Sequence, residues 1–254
     1  MPGLILLAMF PVALRSREDT RTTQAKSSRA LATLPPIMLW AWERPENLSF
    51  IDPVKTGVAY LAKTIYLRGQ TMASRPRLQP LRLAEGTKLV AVVRIESDRV
   101  DPPALTTDQL KGTATEVGSL AKLPGVLAIQ IDFDAVSSER DFYRRLLIEV
   151  RQQLPGTTAL SITALASWCA GDNWLSDLPL DEAVPMFFRM GVEGPQFSSR
   201  LKAGTEFLEP PCTNAAGVST DEKLTPPRVP RLYIFSPNPW TQDSANKAME
   251  DYKQ

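Results

Sequence analysis

Ala128-Ile129-Gln130-Ile131-Asp132-Phe133-Asp134-Ala135 alternates without a break. Ile129, Ile131 and Phe133 share one side of a strand; Gln130, Asp132 and Asp134 share the other. Val126 and Leu127 precede it, so the strand begins buried and ends polar. Pro124-Gly125 turns into it, and Ser137-Ser138 follows at the start of a helical pattern. Two acids at i and i+2 near the C-terminal end of a strand that feeds a helix occupy the position where an α/β barrel keeps its chemistry. An antiparallel strand with one wet face alternates in the same way, but helical patterns on both sides favour the barrel.

Upstream, Thr106 or Thr107 can cap a helix that carries Leu110, Ala114, Val117 and Ala121 at helical spacing. It stops at Leu123-Pro124-Gly125. Downstream, Ser138-Glu139-Arg140-Asp141 resembles a capping box, followed by an apolar stripe of Phe142, Leu146, Val150 and Leu154. That helix stops at Leu154-Pro155-Gly156, the same punctuation one unit later. Two successive helix, Leu-Pro-Gly, strand passages are a βα repeat. Further strands read outward from this centre: Ile37–Trp42, Val58–Leu67, Lys88–Glu96, Ala159–Trp168, Val184–Met190, a weak Ala215–Ser219 and Arg231–Phe235. Residues 70–87 read as irregular, and a helix is expected near Phe197–Lys202. Eight strands predict a (β/α)8 TIM barrel over residues 35–254, with some abbreviated helices.

Residues 1–34 stand apart. Leu4 to Phe10 is an apolar run too short to span a membrane. It resembles the core of a signal peptide, although no Lys or Arg precedes it. Residues 15–34 are rich in Arg, Ser and Thr and read as a linker. Export is expected over a cytoplasmic location, with no integral membrane span.

The 254-residue chain has a formal net charge of +1, which implies no broad attraction to nucleic acid. It contains no histidine. Ser-His and Cys-His nucleophilic catalysis and histidine metal sites are therefore excluded, and acid-base work falls on Asp and Glu. Two cysteines, Cys169 and Cys212, are compatible with one disulfide or with two buried thiols. No zinc-ligand spacing exists, and no cofactor or metal is expected.

The strand ends carry the candidate site: Trp42, Glu43, Arg68, Arg94, Glu96, Asp132, Asp134, Trp168, Arg189, Asp221, Glu222, Asn238 and Trp240, with Gln130 deeper in the fourth strand. Taken singly, each has a structural explanation. Trp40 and Trp42 can be core, Arg94 with Glu96 a structural ion pair, Asp221-Glu222 solvated loop acids, and Asp172 a helix cap. Their convergence on one rim favours a site. Carboxylates, arginines and tryptophans suit a poly- or oligosaccharide. A glycosidic bond breaks when one carboxylic acid protonates the leaving oxygen and a second group stabilises the cationic sugar or activates water. An ionised Asp132 would raise the pKa of Asp134 and keep it protonated. A Mg²⁺ or Ca²⁺ ion would use the same oxygens.

Ala128 to Asp134 resembles the fourth-strand signature Gly-Ile-Asp-Ile-Asp-Trp-Glu of chitinase-like hydrolases. The resemblance puts Asp134 on the catalytic acid and Asp132 on the supporting aspartate; Gln130 replaces an outer aspartate. Met186-Phe187-Phe188-Arg189 resembles the sixth-strand Met-x-Tyr-Asp, with Phe188 and Arg189 replacing the residues that handle an acetamido group. Four longer phrases, Ile129–Ala135, Leu160–Cys169, Val184–Gly191 and Phe235–Trp240, together resemble a bacterial family known as domain of unknown function 3142, which implies a barrel and supplies no activity.

The expectation is a glycoside hydrolase with Asp134 as general acid, Asp132 as its electrostatic partner and Glu96, Asp221 or Glu222 as base or nucleophile. The alternative is a non-catalytic glycan-binding module on the same fold. Gln130, Asp132, Arg94 and Glu96 are expected to satisfy one another across neighbouring strands. Asp221 and Glu222 are expected to face Asp134 across the mouth, with Glu222 preferred for its reach. A carboxyl separation of about 5–5.5 Å would imply retention and about 6.5–9.5 Å inversion.

Overall fold

The computed structural model describes residues 29–170, 172–191, 209–222 and 226–252. The apolar N-terminal run and the helix expected near Phe197–Lys202 lie outside these residues.

Eight parallel strands close a barrel: β1 Ile37–Ala41, β3 Thr56–Arg68, β6 Leu89–Ser97, β7 Val126–Asp132, β8 Ala159–Leu165, β9 Glu182–Met186, β10 Ala215–Ser219 and β11 Arg231–Phe235. Ile37 pairs with Leu232 on one side and Thr56 on the other, so no edge remains between first and last strands. All eight predicted strands are present. The sixth starts earlier and ends at Met186, and the fifth ends at Leu165, where a helical turn begins.

Both sides of the wall are buried, and this explains the alternation in β7. Ile129, Ile131 and Phe133 face outward into a core shared with the covering helices. Ala128 faces the barrel interior with Met38, Trp40, Val92 and Tyr233. Small interior residues (Ala59, Ala128, Ala159, Ala215) leave room for the Trp40 indole. Gly217 completes that space: a Cβ there would stand 2.8 Å from the indole of Trp40. Leu31 and Leu34, expected in a linker, pack into the same interior.

Among the described residues, helices are fewer than an eight-helix TIM barrel has. Among the described residues, α1 Thr107–Ser119, α2 Arg140–Gln153, the short α3 Ala166–Cys169 and α4 Gln242–Asp251 follow β6, β7, β8 and β11. Thr106 caps α1 in a reciprocal box with Gln109, whose amide also donates to the carbonyls of Gly69 and Thr71. A single 3-10 turn, Ser137–Glu139, leads into α2; Glu139 accepts from the Val136 N–H there, and the helix itself starts without a side-chain cap. The phenyl, leucyl and valyl stripe of α2 is buried as its spacing predicts. Between β10 and β11, Pro226, Pro227 and Pro230 oppose a helix.

The segment read as irregular is in fact extended. β4 Thr71–Pro76 folds back antiparallel on β3, and β5 Leu81–Leu83 pairs in parallel with β2 Glu46–Leu48. β4 is almost wholly solvent-exposed, so it carries no apolar alternation to betray it.

Candidate functional site

The polar end of β7 is where the interior opens. Ala135 N–H bonds the Phe133 carbonyl at 2.8 Å across a three-residue turn centred on Asp134. The strand therefore ends at Asp132, and Asp134 stands just beyond it with a half-exposed side chain. The register sets Arg94 of β6 directly beside Asp132. Arg94 Nη1 bonds Asp132 Oδ2 at 2.6 Å, Nη2 reaches Asp134 Oδ2 at 3.3 Å, and Nε lies 3.4 Å from Glu96. One guanidinium thus holds three carboxylates. Asp132 is buried, and its second oxygen accepts from Thr163 of β8 at 2.7 Å.

These charges pull on one another. Partial desolvation and the neighbouring Asp132 push the Asp134 carboxyl above its ordinary range, against Arg94 and Arg99, which lower it. Desolvation opposes the Arg94 charge, but Asp132, Asp134 and Glu96 more than offset it and hold its pKa above the usual value.

Asp132, Asp134, Arg94 and Thr163 form one side of a cleft of about 850 Å³ at the C-terminal mouth of the barrel. The other side is mostly apolar: Trp42 from beyond β1, Met186, Phe188 and Met190 from β9 and its loop, and Phe235 from β11, with Arg189 among them. Phe188 and Phe235 stack with centroids 5.7 Å apart, and Trp42 meets Phe235 edge-on at 6.2 Å. The mouth is braced from behind. Arg77 donates to the carbonyls of Ala41, Trp42 and Arg44, and Arg44 to those of Ser236, Pro237 and Asn238.

The remaining predicted residues divide. Arg189 lines the cleft at φ +56°, a left-handed conformation rare for a non-glycine residue. Glu222 accepts the Arg189 backbone N–H at 3.1 Å, and Asp221 its Nη2 at 2.8 Å. Asp221 and Glu222 are thus engaged in holding the Phe188–Gly191 loop and are not in the cleft lining. Glu96 meets Arg94, not either aspartate. Gln130 is fully buried below the cleft, accepting from Trp40 Nε1 at 2.9 Å and donating to Ser161 at 3.2 Å. Arg68 binds Asp98 and Asp101 outside the lining. Glu43 accepts from the Leu78 N–H. Asn238 offers its backbone carbonyl to Arg44. Trp168 and Trp240 are core: Trp168 packs edge-on against Trp174 at 4.9 Å, and Trp240 Nε1 donates to the Trp40 carbonyl.

Sequence parity turns Ser161 and Thr163 inward without naming Thr163 as lining, and it misses Met186, Phe188, Met190 and Phe235. Thr163 shares the interior parity of Ser161, which was the available signal. Phe188 and Phe235 lie at strand ends, where parity lapses. Cys169 and Cys212 form a disulfide, Cα atoms 5.9 Å apart, which ties the segment after β8 to the segment before β10. Among the described residues, no group of three or more Asp, Glu or Cys is placed to hold a metal, and no helix is long and apolar enough to cross a membrane.

A family model described as Domain of unknown function (DUF3142) matches residues 85–184. The match contains Arg94, Asp132, Asp134 and Thr163, the whole charged side of the cleft. A comparison with curated proteins finds no match. The likeness to chitinase-like hydrolases extends no further than the barrel fold.

Proposed function

We propose that this chain is a carbohydrate-active barrel protein, a glycoside hydrolase whose proton donor is Asp134. The observation that carries the reading is the pair Asp132 and Asp134, clamped by Arg94 at one side of a large cleft walled by aromatic rings. Desolvation and the Asp132 charge favour the protonated Asp134 that a general acid needs. Asp134 gives its proton to the glycosidic oxygen and the leaving sugar departs as an alcohol. Asp132 places negative charge beneath the developing cation. Water then adds at the sugar carbon and returns a proton to Asp134. Asp221 and Glu222, engaged with Arg189, serve the cleft wall and not this step. The Cys169–Cys212 disulfide fits an exported protein, since such bonds persist in oxidising compartments.

One observation favours a second reading. Arg94 Nη2 on Asp134 also stabilises the carboxylate, and a permanently ionised Asp134 would make the chain a glycan-binding module without turnover. Reducing-sugar release from a polysaccharide panel, with binding measured in parallel on Asp134→Ala, separates the two. Release by the wild type, lost in the variant while binding persists, supports the hydrolase. Binding without release in the wild type supports the module.

A further inference from the structure

The two sides of the cleft ask for different chemistry. A sugar ring carries hydroxyls around its rim, and each one buried without a partner is costly. The charged side can meet them: Asp134 and Arg94 line the cleft, and their bonds among the described residues leave Asp134 Oδ1 and further Arg94 N–H groups to offer. The opposite side offers little: its one guanidinium, that of Arg189, is engaged by Asp221 and Glu222. Met186, Phe188, Met190 and Phe235 present carbon and thioether surface only. Nor do Phe188 and Phe235 form an open platform for ring stacking: they lie face to face at an interplanar angle of 3°, and the Arg189 guanidinium sits 6.0 Å over Phe235. Methionine thioethers, unbranched and rotatable, adapt to a flexible occupant better than to a flat one.

We propose that this wall receives an alkyl chain, so that the ligand is an amphipathic glycoside with its sugar at Asp134 and its aliphatic aglycone against Phe188 and the methionines. The proposal rests on the carbohydrate reading for the sugar half alone. Its direct test is a matched series of methyl, butyl and octyl β-D-glucopyranosides, with 1-octanol as the sugar-free arm, titrated calorimetrically below their aggregation limits. Affinity is expected to rise from butyl to octyl by roughly fourfold for each methylene that becomes fully buried. Phe188→Ser and Met190→Gln are expected to flatten that rise; two separate variants guard against one failing to fold. A flat series in the wild type, or a slope unchanged in both folded variants, overturns the proposal. If 1-octanol binds as tightly as the octyl glucoside with a Phe188-dependent slope, the alkyl site stands and the carbohydrate reading falls. If a panel glycan binds while the alkyl series is flat, the reverse holds.

Discussion

Arg231→Met should unfold this protein far more easily than its position, remote from the cleft, suggests. Glu182 of β9 is fully buried in the barrel interior. Its carboxylate is held by Arg231 of β11 through Nη1, by the Tyr233 hydroxyl at 2.8 Å and by the Ser161 hydroxyl at 3.2 Å. Arg231 Nη2 also donates to the Leu31 carbonyl, fixing the segment that plugs the barrel floor. Both partners of the ion pair are below a tenth exposed, so little water can replace the lost guanidinium. Breaking such a pair from one side costs about 3–5 kcal/mol. In a chain of this size that is a fall of about 6–20 °C in Tm. The assay is urea unfolding followed by tryptophan fluorescence, with Glu182→Gln and the double variant completing the cycle. The double variant should recover part of the loss, because the orphaned charge is gone. Arg231→Met within about 1 kcal/mol of wild type, or additive single and double variants, would refute the reasoning.

Three other outcomes follow from the same geometry. Gly217→Ala should lose about 1–3 kcal/mol by overpacking, since the new methyl meets the Trp40 indole at 2.8 Å and the Pro185 carbonyl at 3.5 Å; denaturant midpoints measure it. Reduction of Cys169–Cys212, which are 43 residues apart, should cost about 4 kcal/mol of loop entropy, and thiol titration of the unreduced, denatured chain should find no free thiol. Asp134 is raised by desolvation and Asp132, so the native state holds its proton longer than the unfolded chain does. The wild type should therefore lose stability relative to Asp134→Asn as pH rises above 3.8, measured by denaturant midpoints at stepped pH; a gain there would reverse the sign.

The barrel was legible because two successive helix-to-strand passages carry the same punctuation, Leu123-Pro124-Gly125 and Leu154-Pro155-Gly156, and because Asp132 follows the interior parity of Ala128. The tryptophans were not. In a closed barrel the interior and the helix-covered exterior are both dry, so a strand-end Trp is as readily core as rim: Trp42 lines the cleft, whereas Trp168 and Trp240 are buried. Gln130 obeys the predicted face yet lies one layer too deep, satisfied by Trp40 and Ser161. The acids after β10 were located at the right end, but sequence could not show that the Arg189 loop, at positive φ, would claim them. β4 escaped notice because an exposed hairpin strand needs no apolar pattern.

The most direct measurement of the central claim is reducing-end release by the wild type and by Asp134→Asn on the polysaccharide that the wild type binds best, with affinities determined on the same samples. The account predicts release by the wild type, a loss of roughly 10²–10⁴-fold in the variant and nearly equal affinities. Undiminished release by Asp134→Asn would contradict it.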